Sequence, residues 1–404
     1  MISKQEIMDL AREFSLDVNT IEKDYVLGWL LAGIENHRDL FEKWVFKGGT
    51  CLKKCYFETY RFSEDLDYTL IDKNQIDDNF LSGCFKDIAN WIYETVGIEI
   101  AEDTIQFKIK RNQAGRQSVE GKVGYIGPMQ RRRDPVRIKL DLTADELLVM
   151  PPDLRTIHHP YSDNPNSNIK SYCYSFIEVF AEKLRALGER ARPRDLYDVI
   201  HLFRHANQTD NAEAILAVLK KKCDFKAIPV PTMGHLEIHP KRNELETEWK
   251  NMLAHQLPSL PALEDFWQEL PNLFDWLHGK TSQNKLESIP SLKKDIDLSW
   301  HPPSMIHSWR APIPLELVRY AASNYLCVEI DYQKKDNNII KQYLIEPYDL
   351  KRTMKGDLLL VALKRPTTEW RAFLVDRIRS VKVTQTQFTP KYHIGLTPFT
   401  FRKF

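Results

Sequence analysis

The sequence predicts an α+β protein in two unlike parts: a mixed sheet with flanking helices and a helical lobe, then a small barrel of short strands. Three observations lead there. Short alternating runs (WVFK at 44–47, DLDYTL at 65–70, VRIKLDLT at 136–143) stand between amphipathic stretches of helix length. Residues 176 to 277 carry helical apolar spacing. Behind a proline-containing stretch, five short β-prone runs follow a single helix. A chain of 404 residues exceeds one ordinary core. We therefore assign 1–150 to the sheet, 151–280 to the helical lobe, 281–312 to a linker and 313–404 to the barrel.

Residues 1–36 read as two helices. Asn19 or Thr20 can cap the second, whose Ile21, Tyr25, Leu27, Trp29, Leu30, Leu31 and Ile34 form a broad apolar face. Trp44–Lys47 reads as a strand, Gly48-Gly49 as a turn and Thr50 as the opening of a helix; a second strand carries Asp65 and Asp67. Asp77–Val96 is an amphipathic helix with Phe80, Phe85, Ile88, Trp91 and Ile92 inward, and Glu99–Lys110 and Val119–Ile126 alternate like strands. In Val136–Thr143 the apolar positions are Val136, Ile138, Leu140 and Leu142, which leaves Asp141 on the polar face.

Pro151, Pro152, Pro160 and Pro165 mark a loop-rich crossing. Phe176–Arg192 and Arg194–Ala206 read as helices parted by Pro193, and Ala212–Lys221, Lys241–Leu257 and Ala262–Leu277 as further ones. Trp249, Trp267, Phe274 and Trp276 are expected in their core. Thr281–Pro314 has little periodicity, with Trp300 and Trp309 suggesting that part of it packs down. A helix at Leu315–Ser323 precedes strands at Leu326–Tyr332, Ile339–Glu346, Leu358–Leu363, Trp370–Leu374 and Val381–Val383, the pattern of a small SH3-like or Sm-like β-barrel.

Composition excludes several classes. With 43% hydrophobic and 28% charged residues the chain reads as globular. No apolar run approaches membrane-spanning length, and the charged start MISKQEIMDL is unlike a signal peptide. Six scattered cysteines suggest neither a disulfide framework nor a zinc site, so a cytoplasmic location is expected. The net charge of +1 hides local excess. Ten Lys/Arg face only Glu120 and Asp134 between Lys108 and Lys139, and residues 313–404 hold sixteen Lys/Arg against nine Asp/Glu. Either surplus can attract a polyanion.

The chemistry is concentrated near the first two strands. Asp65 and Asp67 project to one side of their strand while Leu66 and Tyr68 face the other way. Paired carboxylates repel unless a cation lies between them, and Mg²⁺ (or Mn²⁺) favours carboxylate oxygen with substrate phosphate. The Gly48-Gly49-Thr50 turn enters a helix N-terminus, whose free N–H groups favour phosphate. Order and proximity suggest chemistry on a nucleoside triphosphate. Asp141, if its strand lies beside the first pair, supplies the third carboxylate of a two-metal site. Lys183 borders the apolar stripe of its helix, and Asp195 and Asp198, three apart, share a face.

The run FKGGTCLKK followed by RFSEDLDY resembles the AbiEii/AbiGii (MenT-like) family of nucleotidyltransferase toxins, and AEKLRALGERARPRDLYD is similar to that family's second signature. The likeness covers roughly residues 1–280. It implies a nucleotidyltransferase fold and transfer of NMP from an NTP to an acceptor, tRNA 3′ ends in members acting as toxins. It also implies a cognate antitoxin and a toxin–antitoxin or phage-defence setting. The candidate catalytic residues are Asp65, Asp67 and Asp141, which would also be the metal ligands, together with Lys183 and Asp195, whose roles are those the resemblance implies. Gly48, Gly49, Thr50, Ser63, Lys183 and Asp198 would contact the nucleotide, and Ser63 matches a serine that is phosphorylated in some members. Glu22-Lys23-Asp24-Tyr25 matches a family run for which we expect a packing role. At the C-terminus, YLIEPYDLKRTMKGDLLLVAL and WRAFLVDRIRSVKV resemble WYL domains, which sense ligands or nucleic acids. Leu358-Leu359-Leu360 replaces the naming triad and Leu374 replaces an arginine, while Arg371, Asp376 and Arg377 remain. Two other readings stay open: nucleotidylation of a partner protein, and a non-catalytic regulator that binds nucleic acid through its WYL-like part.

Overall fold

A computed structural model describes residues 1–111, 115, 117–165, 168–206, 211–281, 286–290, 295–300, 311–334 and 339–396. Helices α1 (Lys4–Phe14) and α2 (Val18–Asn36) open the chain. The cap of α2 is Asp17, whose carboxylate accepts the Asn19 N–H, so Asn19 and Thr20 already lie inside the helix. Strand β1 (Trp44–Lys47) runs into a helical turn, α3 (Gly48–Cys51), and a π-helical turn at Leu52–Tyr56. Strand β2 (Asp65–Leu70) and helix α4 (Asp78–Val96) follow, then β3 (Gln106–Arg111), β4 (Gln117–Tyr125) and β5 (Val136–Thr143).

The stretch read as a loop-rich crossing contains two more strands, β6 (Asp153–Thr156) and β7 (Lys170–Cys173). Four residues each are too few to show a period of two. Main-chain pairing makes them strands: β7 lies parallel to β1 through Phe46 and Cys173, and β6 is antiparallel to β7. The sheet runs β3-β4-β5-β2-β1-β7-β6, with β2 parallel to β5 and antiparallel to β1. One face buries Leu66, Tyr68, Val119, Val123, Ile138, Leu140 and Leu142, with α4 and α2 packed on that part of the sheet. The other face carries the charges.

Helices α5 (Phe176–Arg190) and α6 (Pro193–Ala206) lead into α7 (Ala212–Lys226), α8 (Met233–Glu237), α9 (Arg242–Leu253), α10 (Leu263–Trp267) and α11 (Leu270–Leu277). Ala191 in the left-handed region ends α5 two residues earlier than expected. Trp249, Phe274 and Trp276 are buried as predicted, and Trp267 is half-buried against the same core. No helix among the described residues is long and apolar enough to cross a membrane.

Helix α12 (Leu315–Ser323) precedes β8 (Leu326–Gln333), β9 (Ile340–Arg352), β10 (Leu358–Arg365), β11 (Glu369–Leu374) and β12 (Ile378–Gln387). These form an antiparallel sheet ordered β11-β10-β9-β8-β12. It is not the closed barrel expected from the sequence: β11 and β12 are edges with no ladder between them. Helix α12 packs on β8, β9 and β12 and covers the space that closure would enclose. In the stretch read as linker, Glu287 and Ile296 bridge Tyr392 and Thr353, and Trp300 lies under the Arg352 guanidinium at 5.7 Å. Trp309, like Arg116 of the basic region, lies outside the described residues.

Candidate active site

The turn after β1 must approach β2 closely. Gly48 has φ +81°, and a Cβ on it would lie 2.0 Å from Asp67 Oδ2; one on Gly49 would lie 2.5 Å from Arg61 Nη2. Thr50 is buried, and its hydroxyl donates to the Asp65 carbonyl at 2.5 Å, tying the turn to the strand. Its side chain therefore faces protein, which leaves backbone N–H groups as what the turn can offer a phosphate.

Register then gathers the carboxylates. Asp67 stands opposite Lys47 on β1 and Asp141 on β5, and Asp65 stands opposite Lys139. Across β4 the row continues as Glu120 beside Asp141 and Lys122 beside Lys139. None of Asp65, Asp67 and Asp141 makes a side-chain hydrogen bond or ion pair among the described residues. Burial pushes the Asp67 carboxyl up to about 6; Lys47 and Lys183 pull it back, while Asp141 and Asp65 add to the rise. Burial, with Asp65 and Glu120 nearby, also raises Asp141. Uncompensated oxygen donors on one sheet face suit a hard divalent cation. The tightest donor trio among the described residues is instead Cys51, Cys55 and Cys173, with sulfurs within 4.8 Å of one another. Those soft, buried donors pack beneath the turn, away from solvent. The carboxylates are more widely spread, and Asp141 is exposed.

Opposite the carboxylates lie α5 and α6. Lys183 Nζ is 2.8 Å from Asp198 and 3.9 Å from Asp195. Asp198 is fully buried and also accepts from Arg61 Nε (2.7 Å) and Nη2 (2.8 Å) and from the Tyr60 hydroxyl. Burial would raise its carboxyl, but Arg61 and Lys183 hold it far below the usual range. Asp195 accepts Arg190 Nε at 2.6 Å and Nη2 at 2.7 Å. A cavity of about 260 Å³ separates these groups from β2, walled by Gly49, Arg61, Ser63, Asp65, Asp67, Lys183, Arg190, Arg192, Arg194, Asp195 and Met252. A second, of about 210 Å³, shares Asp67, Lys183 and Arg190 and extends past Lys47 and Gly48 to Tyr174 and Val179.

Of the residues singled out in the sequence, Gly49, Ser63, Asp65, Asp67, Lys183 and Asp195 line the first cavity. Gly48 lines the second; Asp141 stands beside Asp67, and Thr50 and Asp198 lie behind the walls. Sequence reasoning missed the cations: Lys47, Arg61, Arg190, Arg192 and Arg194. Arg192 is exposed without an ion pair among the described residues, and Arg194 has only the Met252 carbonyl, at 3.4 Å. Burial and Arg61 depress the Arg194 guanidinium. The available signal was the arginine-rich run GERARPR between Lys183 and Asp195. Glu22, Asp24 and Tyr25 do have packing partners: the Met129 N–H, Lys54 and Asp163.

Carboxylates on a mixed sheet facing a cationic cavity are the arrangement that phosphoryl or nucleotidyl transfer calls for. Family comparison makes this specific. The model described as nucleotidyl transferase AbiEii toxin, type IV toxin–antitoxin system, matches residues 29–277, and the WYL domain model matches 314–383. The chain belongs to the AbiEii family of nucleotidyltransferase toxins. Among solved structures it is similar to MenT4, a nucleotidyltransferase toxin from Mycobacterium tuberculosis H37Rv (17% identity over 69% of this chain and 90% of that one, TM-score 0.44). It is also similar to JHP933 from Helicobacter pylori (18%, 66% and 94%, TM-score 0.42) and to a putative nucleotidyltransferase from H. pylori (19%, 66% and 97%, TM-score 0.41). Comparison with curated proteins gives no match.

Proposed function

We propose that the chain transfers a nucleoside monophosphate from an NTP to the 3′-terminal hydroxyl of an RNA, with tRNA as the expected acceptor. The observation that carries this reading is that Asp65 and Asp67, unpaired and with Asp141 in register beside Asp67, face a set of Lys and Arg side chains across one cavity. A triphosphate in that cavity would lie against the Gly48-Gly49 backbone, Lys183, Arg192 and Arg194. Lys183 and Arg61, fixed by Asp198, need no rearrangement to meet developing negative charge. Asp195 keeps Arg190 turned to the same wall. Asp65, Asp67 and Asp141 would hold a divalent cation, Mg²⁺ or Mn²⁺, which when bound offsets charge on the phosphates and acidifies the acceptor hydroxyl.

The exposed sheet face supports an RNA acceptor. Lys122 and Lys139 lie in one row with Asp65, and Lys108 in the row of Asp141 and Asp67. With Arg137 they make no ion pair among the described residues, so they remain available to phosphates of a nucleic acid running toward the carboxylates. Family membership also supports a cognate antitoxin, and the setting we propose is phage defence. The test is incubation of the purified chain with total tRNA, Mg²⁺ and each α-labelled NTP in turn. Labelled RNA is expected with at least one NTP. Label on a polypeptide instead would move the acceptor to a protein, and no transfer to either would refute the reading.

A further inference from the structure

A buried side chain of the C-terminal part reaches the helix that carries Asp195 and Asp198. Asn324, which follows α12, is 1% exposed and turns its amide into the helical lobe. Its Oδ1 accepts the Tyr197 hydroxyl at 3.1 Å and lies 3.2 Å from His201 Nε2. Its Nδ2 donates to the Tyr320 carbonyl at 3.0 Å and to Ser323 Oγ at 3.2 Å. The amide is thus held from its own side and presents one fixed acceptor to α6. Burial keeps the His201 imidazole well below its usual value, hence neutral and able to donate from Nε2.

Tyr197 and His201 lie on the helix that carries Asp195 and Asp198. Both rings pack on Tyr60, at centroid distances of 5.8 Å and 5.4 Å, and the Tyr60 hydroxyl donates to Asp198. Asp198 in turn fixes Lys183 and Arg61 on the cavity wall. A parallel strut reinforces the contact: Arg204 of α6 donates to the Ser323 carbonyl at 3.4 Å and lies 4.2 Å from the Tyr325 ring. We infer that Asn324 is a positioning residue for the transferase site, setting the seat of α6 and, through Tyr60 and Asp198, the placement of Lys183 and Arg61. The C-terminal part then belongs to the working transferase and supplies part of its scaffold. This rests on the nucleotide reading above.

The base being unidentified, the probe is inorganic tripolyphosphate with Mg²⁺, titrated calorimetrically into the full chain. Asn324→Ala should weaken binding roughly three- to tenfold. Tyr197→Phe, which removes the same hydrogen bond from the other side at nearly constant shape, should weaken it in the same direction. The double variant should bind no more weakly than the worse single one, since both remove one linkage. Ile330→Val, a core change on β8 away from this path, controls for general loosening and should leave affinity unchanged. If the wild-type chain binds and both variants bind as tightly, or if their losses simply add, the inference is overturned. Should Asn324→Ala fail to fold, Tyr197→Phe decides it alone. Absence of binding by the wild-type chain would instead defeat the nucleotide reading itself, and this inference with it.

Discussion

Asp65 and Asp198 show how differently two carboxylates of one site are held. Asp198 neutralises a buried guanidinium and an ammonium, so Asp198→Asn leaves both charges short of a counterion; unfolding stability should drop by about 3–5 kcal/mol in urea titrations. Asp65 has no such duty, and with Asp67 and Asp141 nearby its removal relieves repulsion. Asp65→Asn should therefore abolish transfer while leaving the urea midpoint unchanged or slightly higher. The legibility of these residues in the sequence differs for the same reason. The aspartates of β2 and β5 were visible because a period of two puts them on a polar face, and pairing of the strands did the rest. Lys183, Asp195 and Asp198 were found by resemblance, since helix spacing alone makes them surface ion pairs. Arg61, Arg192 and Arg194 sit in loops or at helix starts, where no periodicity distinguishes a cavity wall from solvent.

At the level of elements, the turn from β1 into α3 sets the cavity floor. Gly48→Ala would place a methyl on the Asp67 carboxylate in a strained backbone region. We expect a loss of about 1–3 kcal/mol in stability and a larger loss of transfer than of RNA binding, read by thermal melts, the transfer assay and filter binding. Most elements were legible: β5 and α12 have the bounds their patterns predict. What escaped depended on partners distant in sequence. Strands β6 and β7 exist because β1 offers an edge, and the C-terminal strands stay an open sheet because α12 covers one face.

On the scale of the whole molecule, front and back are joined by buried charge. Arg319 of α12 donates to Glu58, to Glu316 and to the Leu396 carbonyl, and Glu13 of α1 accepts the Glu316 N–H at 3.2 Å, capping α12. Burial raises the Glu13 carboxyl to about 7, against the Glu316 N–H, which lowers it. The folded value thus exceeds the unfolded one, so the folded chain binds the extra proton. Stability falls as pH rises from about 4.5 to 7 and stays at its lower level above that. Glu13→Gln keeps the acceptor and should raise the thermal midpoint at pH 8 with little change at pH 4.5. Charge on the exposed sheet face has its own signature. Replacing Lys108, Lys122 and Lys139 together by Ala should reduce the slope of log affinity for tRNA against log salt by about 2–3, leaving tripolyphosphate affinity nearly unchanged.

The most direct measurement is a crystal structure of the chain with a non-hydrolysable NTP and Mg²⁺. It should place the α-phosphate between β2 and Lys183, with metal on Asp65 and Asp67 and the remaining phosphates against Arg192 and Arg194. A triphosphate bound elsewhere, or metal that ignores both aspartates, would contradict the account.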